Sequence, residues 1–120
     1  MRAVLIVDHG SRRPEAIAQL DALVSLVRAR LPGDFVTGAH LELAAPSVAE
    51  GLDACVAAGA REIVIHPFLL APGQHAIEDL PRLANAAVLR HPGVSICVGP
   101  PLGLHPHVVD AVLERIGEAS

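Results

Sequence analysis

Four short apolar runs, each followed by a stretch with helical spacing, constrain this chain more than any other feature. Ala3 to Val7 is continuously apolar and ends in Asp8-His9-Gly10, as a parallel strand covered on both faces requires. Pro14 follows where a first helical turn tolerates proline, and Ile17, Leu20, Val24, Val27 and Leu31 form one stripe down to Pro32-Gly33. Phe35 to Leu43 reads as a second strand. Ser47 and Glu50 then have capping-box spacing at the start of a helix that turns Val48, Leu52 and Cys55 inward and ends at Gly59. Glu62 to Phe68 is a third strand. In the long connection after it, "LLAPGQHAIEDLP", Pro72-Gly73 signals a turn, and Asp79 and Pro81 mark the start of a third helix that runs to His91. Val94 to Val98 is the fourth strand. Beyond the loop "GPPLGLHP", Val109, Val112, Leu113 and Ile116 give the last helix a buried face.

Strands that alternate with helices in this way imply a three-layer α/β fold: a four-stranded parallel sheet, right-handed crossovers and helices on both faces. With 120 residues and no linker or break in composition, residues 1–120 are expected to form a single domain. A flavodoxin-like topology would set the first and third strands side by side, and ligands of such sheets collect beyond the carboxyl ends of the strands, where strand order reverses.

Composition removes several function classes. Trp and Tyr are absent and Phe occurs only at positions 35 and 68, so there is no aromatic platform for single-stranded nucleic acid. A net charge of −4 leaves no basic footprint for DNA or RNA. The first apolar run, about six residues, is too short for a signal segment or a membrane span, and a cytoplasmic location is expected. Cys55 and Cys97 have no metal-type spacing and are expected to be two buried thiols rather than a disulfide. GxGxxG, GxSxG and HExxH motifs are missing, and a chain without lysine has no P-loop.

The chemistry-bearing residues gather at predicted strand ends. His9 leaves the first strand just before Gly10, with Ser11, Arg12 and Arg13 leading into a helix start. It reads either as a metal ligand or base beside an anion site, or as a hydrogen-bonded structural histidine. His75 falls in the long third connection, on the same sheet edge, as a ligand or a solvated loop residue. Two imidazoles at one edge suit a divalent ion of the Fe, Co or Ni type with coordination positions left open. Glu42, near the end of the second strand, either supplies a carboxylate to that edge or faces solvent; His40 shares its strand face by the period of two. His66, before Pro67, is a reserve candidate. Asp8 is a candidate for orienting the His9 imidazole. His91, His105 and His107 sit beside prolines and receive no role.

Taken together, "DHGSRRPEA", "LELAAPSVAEGLDACVAAGAREIVIHPFLLAPGQHAIEDLPRL" and "PPLGLHPHVVDAVLERI" resemble the sirohydrochlorin chelatases of cobalamin and sirohaem biosynthesis, in their short single-domain form. The resemblance covers nearly the whole chain in order and rests on the HGSR strand end, the L-E-x-x-x-P-S segment and the G-x-H-x-x-x-D segment. It implies a chelatase-like fold and insertion of a divalent metal (Co²⁺, Fe²⁺ or Ni²⁺) into a carboxylate-rich tetrapyrrole without ATP or an organic cofactor. His9 and His75 become the metal-binding and proton-accepting pair and Glu42 a third participant, in a homodimer with no nucleic-acid or membrane partner. Ser11, Arg12 and Arg13 are candidates for the substrate carboxylates, with Arg82 a weaker one. Members commonly carry an apolar residue where this chain has His66, and His107 adds an imidazole to the last loop; neither alters the implied reaction class.

Overall fold

The computed structural model describes residues 1–120. Four strands, β1 (Arg2–Asp8), β2 (Phe35–His40), β3 (Glu62–Pro67) and β4 (Ser95–Val98), alternate with four helices, α1 (Pro14–Arg30), α2 (Val48–Ala57), α3 (Gln74–Arg90) and α4 (Pro106–Ala119). All strand pairs are parallel and the order is β2-β1-β3-β4, so β1 and β3 are neighbours and the order reverses beside them. The three-layer arrangement expected from the alternation is the one observed.

Strand alternation divides the core. Ala3, Leu5 and Val7 of β1 and Ile63 and Ile65 of β3 point to one face and pack with Val48, Leu52 and Cys55 of α2 and Leu80, Ala84 and Ala87 of α3. Val4, Ile6 and Val36 point to the other face, under Leu20 and Val24 of α1. Glycine lets α2 approach the sheet closely: a Cβ at Gly51 would stand 2.7 Å from Leu5 Cδ1. The capping box at the start of α2 forms in full, Glu50 N–H donating to Ser47 Oγ and Ser47 N–H to Glu50 Oε1.

Four local expectations are corrected. β2 ends at His40, not Leu43, because the chain bends away from Leu41 onward and Leu43 takes φ +68°, which no strand allows. α3 starts at Gln74, several residues before Asp79, and Pro81 lies inside it. Ala76 and Leu80, one turn apart, are both buried and hold the first turns down. Pro81 and Ile77, whose carbonyl loses its partner, lie on the exposed side, where water can satisfy it. Of the two free thiols only Cys55 is buried; Cys97 is exposed on β4. Finally, α4 has no buried residue: Val109, Val112, Leu113 and Ile116 are all exposed. The radius of gyration is correspondingly 15.0 Å, above the ~13–14 Å of a compact chain of this length.

Candidate functional site

Beyond the carboxyl ends of β1 and β3 the chain encloses an open cavity of 480 Å³. His9 enters it from the end of β1. The β1–β2 ladder continues one step past the strands, Leu41 N–H donating to Asp8 O (3.0 Å) and Glu42 N–H to His9 O (3.1 Å), which brings Glu42 to the same wall. Gly10 makes this apposition possible. It has φ +93°, and a Cβ there would fall 1.7 Å from the Glu42 carbonyl oxygen.

The opposite wall is the start of α3. Gly73 is its N-cap, extended and without a side-chain cap, and Gly73, Gln74, His75 and Ala76 line the cavity. His75 is therefore a first-turn helix residue, not a loop residue. Asp79, one turn further along and on the same side, also lines the cavity and holds Arg82 at 3.2 Å. Read as a helix-start signal, Asp79 escaped notice as a site residue; its i, i+4 spacing from His75 on a helix was the available clue.

The structure thus brings His9, Glu42 and His75 to one cavity and adds Asp79. No three His, Cys, Asp or Glu side chains converge closely enough to cage a metal ion. Two imidazoles and two carboxylates spread around an open cavity offer weak ligation and proton acceptance rather than tight storage.

Other candidates lie elsewhere. Ser11 Oγ accepts from Arg13 N–H (3.0 Å), Arg12 and Arg13 are exposed, and none of the three lines the cavity. Asp8 does not orient His9: alternation turns it to the other side, where its Oδ1 meets Nδ1 of the buried His40 at 2.6 Å. This pair joins β1 to β2 directly beneath the site and gives His40 a structural role. His66 sits half-buried on the face opposite Ile65, and burial pushes its pKa down. His91 meets Asp53 at 2.8 Å; that contact and Arg90 hold the Asp53 carboxyl below the usual carboxylate range. A second hollow, of 130 Å³ between Pro67, Ile77 and Pro101, is apolar and far too small for a macrocycle.

Comparison with known proteins gives the following. The family model for CbiX matches residues 3–119. The chloroplast sirohydrochlorin ferrochelatase of Arabidopsis thaliana is 39% identical over 113 residues, spanning 94% of this chain and 50% of that protein. The sirohydrochlorin cobaltochelatase of Saccharolobus solfataricus is 30% identical over 128 residues, spanning 98% of this chain and 95% of that protein. The sirohydrochlorin chelatase SirB of Bacillus subtilis subspecies spizizenii, solved with cobalt, superposes with a TM-score of 0.89 at 34% identity over 98% of this chain and 50% of its own. SirB of Bacillus subtilis has also been solved with Fe³⁺, and matches with the same TM-score of 0.89 over 99% of this chain and 47% of its own. The chain therefore spans about half the length of the plant and Bacillus proteins and nearly all of the archaeal one.

Proposed function

The chain belongs to the CbiX family, and from that premise we propose that it is a sirohydrochlorin chelatase that inserts Co²⁺, Fe²⁺ or Ni²⁺ into the macrocycle, working as a homodimer. One observation carries the reading: the imidazoles of His9 and His75, delivered by the end of β1 and the start of α3, line the same open cavity at the reversal of strand order.

The reaction exchanges one hydrated divalent ion for two pyrrole N–H protons. The ion must shed water before it enters the ring and must leave the protein afterwards. A pair of imidazoles suits this transit, ligating the ion weakly and then accepting the departing protons near neutral pH. Glu42 and Asp79 supply negative charge on either wall, where it favours the incoming cation and the outgoing protons. The uncapped N–H groups at the start of α3 face the cavity and suit the substrate's carboxylates. Ser11, Arg12 and Arg13, next to the rim at the start of α1, would meet carboxylates at the macrocycle's edge.

The test is anaerobic visible spectroscopy of the purified protein with sirohydrochlorin, adding each metal separately and subtracting the spontaneous rate. Multiple turnovers with at least one metal are expected. Metal binding without acceleration would replace the enzyme with a metal-delivery protein on the same fold.

A further inference from the structure

The chain carries two halves of an interface that it does not close on itself. The first half is α4. Val109, Val112, Leu113 and Ile116 repeat at helical spacing and are between 46% and 61% exposed, and the helix makes no substantial contact with any other element. The second half is the face of the sheet that α1 leaves open. In register, Val64 and His66 of β3 lie beside Val4 and Ile6 of β1, and Cys97 of β4 lies beside Val64. Val4 and Ile6 are sealed by α1, whereas Val64 and His66 stay half-covered and Cys97 is exposed. A helix following β4 is the element that would complete this layer.

The root of α4 keeps it from doing so within one chain. Gly99 N–H donates to Ile65 O (2.9 Å), Leu102 N–H to Pro67 O (3.1 Å) and Gly103 N–H to Leu69 O (3.0 Å), pinning the loop along the carboxyl end of β3. His105 then caps α4 by accepting from His107 N–H through Nδ1. The helix leaves this fixed root away from its own sheet, and the molecule measures 54 Å along its longest axis against 32 and 28 Å across.

We propose that α4 is exchanged between two copies of this chain, the helix of each covering the β3–β4 face of the other. The occupant follows from self-complementarity: the same chain supplies an unpartnered apolar helix and an unfilled apolar helix seat, so a two-fold exchange satisfies both and closes without further growth. A 14-residue helix is about 21 Å long and about 10 Å across, so two reciprocal dockings bury on the order of 1,000 Å² or more, the range of a specific interface. The proposal rests on the homodimer of the proposed function and adds which element builds it.

Cys97 provides a native probe, since Cys55 is buried with its thiol pushed up to about 11 and stays inert. Val108→Cys, Val112→Cys and Ile116→Cys, one per turn along α4, are made singly in the full chain and oxidised mildly. Native mass is followed by light scattering and the covalent product on non-reducing gels. At one or more positions a disulfide-linked species of twice the chain mass is expected, lost on adding Cys97→Ser. A disulfide within one chain would overturn the exchange in favour of docking in cis. A linked dimer that survives Cys97→Ser would overturn it in favour of helix-on-helix packing. Absence of any linkage, with Cys97 still reactive to maleimide, would also overturn it. Native mass separates the two levels: a monomer removes the dimer and the exchange together, whereas a dimer with any of those three results removes the exchange alone. Turnover, measured separately, reports on the chelatase reading.

Discussion

Gly10→Ala is the substitution for which the structure yields the clearest magnitude. At φ +93° an L-residue costs about 1–3 kcal/mol. The new Cβ would also fall 1.7 Å from the Glu42 carbonyl oxygen, so the Glu42 backbone must retreat by well over an ångström, an overpacking cost of about 1–3 kcal/mol. That retreat stretches the Glu42 N–H to His9 O bond, now 3.1 Å, worth about 1 kcal/mol. Together these give a loss of about 3–7 kcal/mol, a large share of the ~5–15 kcal/mol that holds a typical domain. Gly33→Ala is the control: no atom lies within 4 Å of its Cβ position and its φ is not positive, so the change is expected within about 1 kcal/mol. With no Trp or Tyr in the chain, urea unfolding is followed by far-UV circular dichroism. A Gly10→Ala midpoint equal to that of Gly33→Ala would refute the argument that these two connections are pressed together.

Two further outcomes follow from burial. Leu52 is 0% exposed in the main core, and Leu52→Ala should lose about 2–5 kcal/mol in urea unfolding, while the exposed Leu26→Ala should stay within about 0.5 kcal/mol of the parent. Burial holds the His66 pKa below its usual 6.5, so as pH falls the unfolded chain takes up this proton first. The corresponding stability is complete above the unfolded pKa and declines below it, down to the folded pKa. Comparing urea midpoints at about pH 7.5 and about pH 5.5, on either side of the histidine reference value, His66→Val should lose less on acidification than the parent; an equal or greater loss would contradict the assignment.

Periodicity made β1, α1, α2 and β3 legible because their patterns were set by packing that local sequence already reflects: alternating strand faces, one stripe per helix, a complete capping box. It also brought His9 and His75 to one sheet edge. The misreadings arose where tertiary context decided. Pro81 looked like a helix start, but the buried Ala76 and Leu80 stabilise a helix that begins at Gln74 and carries the proline on its wet side. Glu42 lies past the end of its strand, yet Gly10 and two backbone hydrogen bonds bring it to the cavity regardless. Asp8 pairs with His40 across two strands, a partnership that sequence separation conceals. In α4 the stripe was read correctly as a surface that needs covering, but an apolar stripe does not say which chain's sheet covers it.

The account's central claim is that His9 and His75 act together on one macrocycle, and both are exposed, so their removal should leave the fold intact. The direct measurement is steady-state metal insertion into sirohydrochlorin by His9→Ala, His75→Ala and the double variant, with circular dichroism confirming folding and His91→Ala as control. Each single variant should lose about 10²-fold or more, and the double variant should fall far short of the product of the two losses, because both imidazoles serve one step. A parent-like rate in either single variant, or losses that multiply, would contradict the claim.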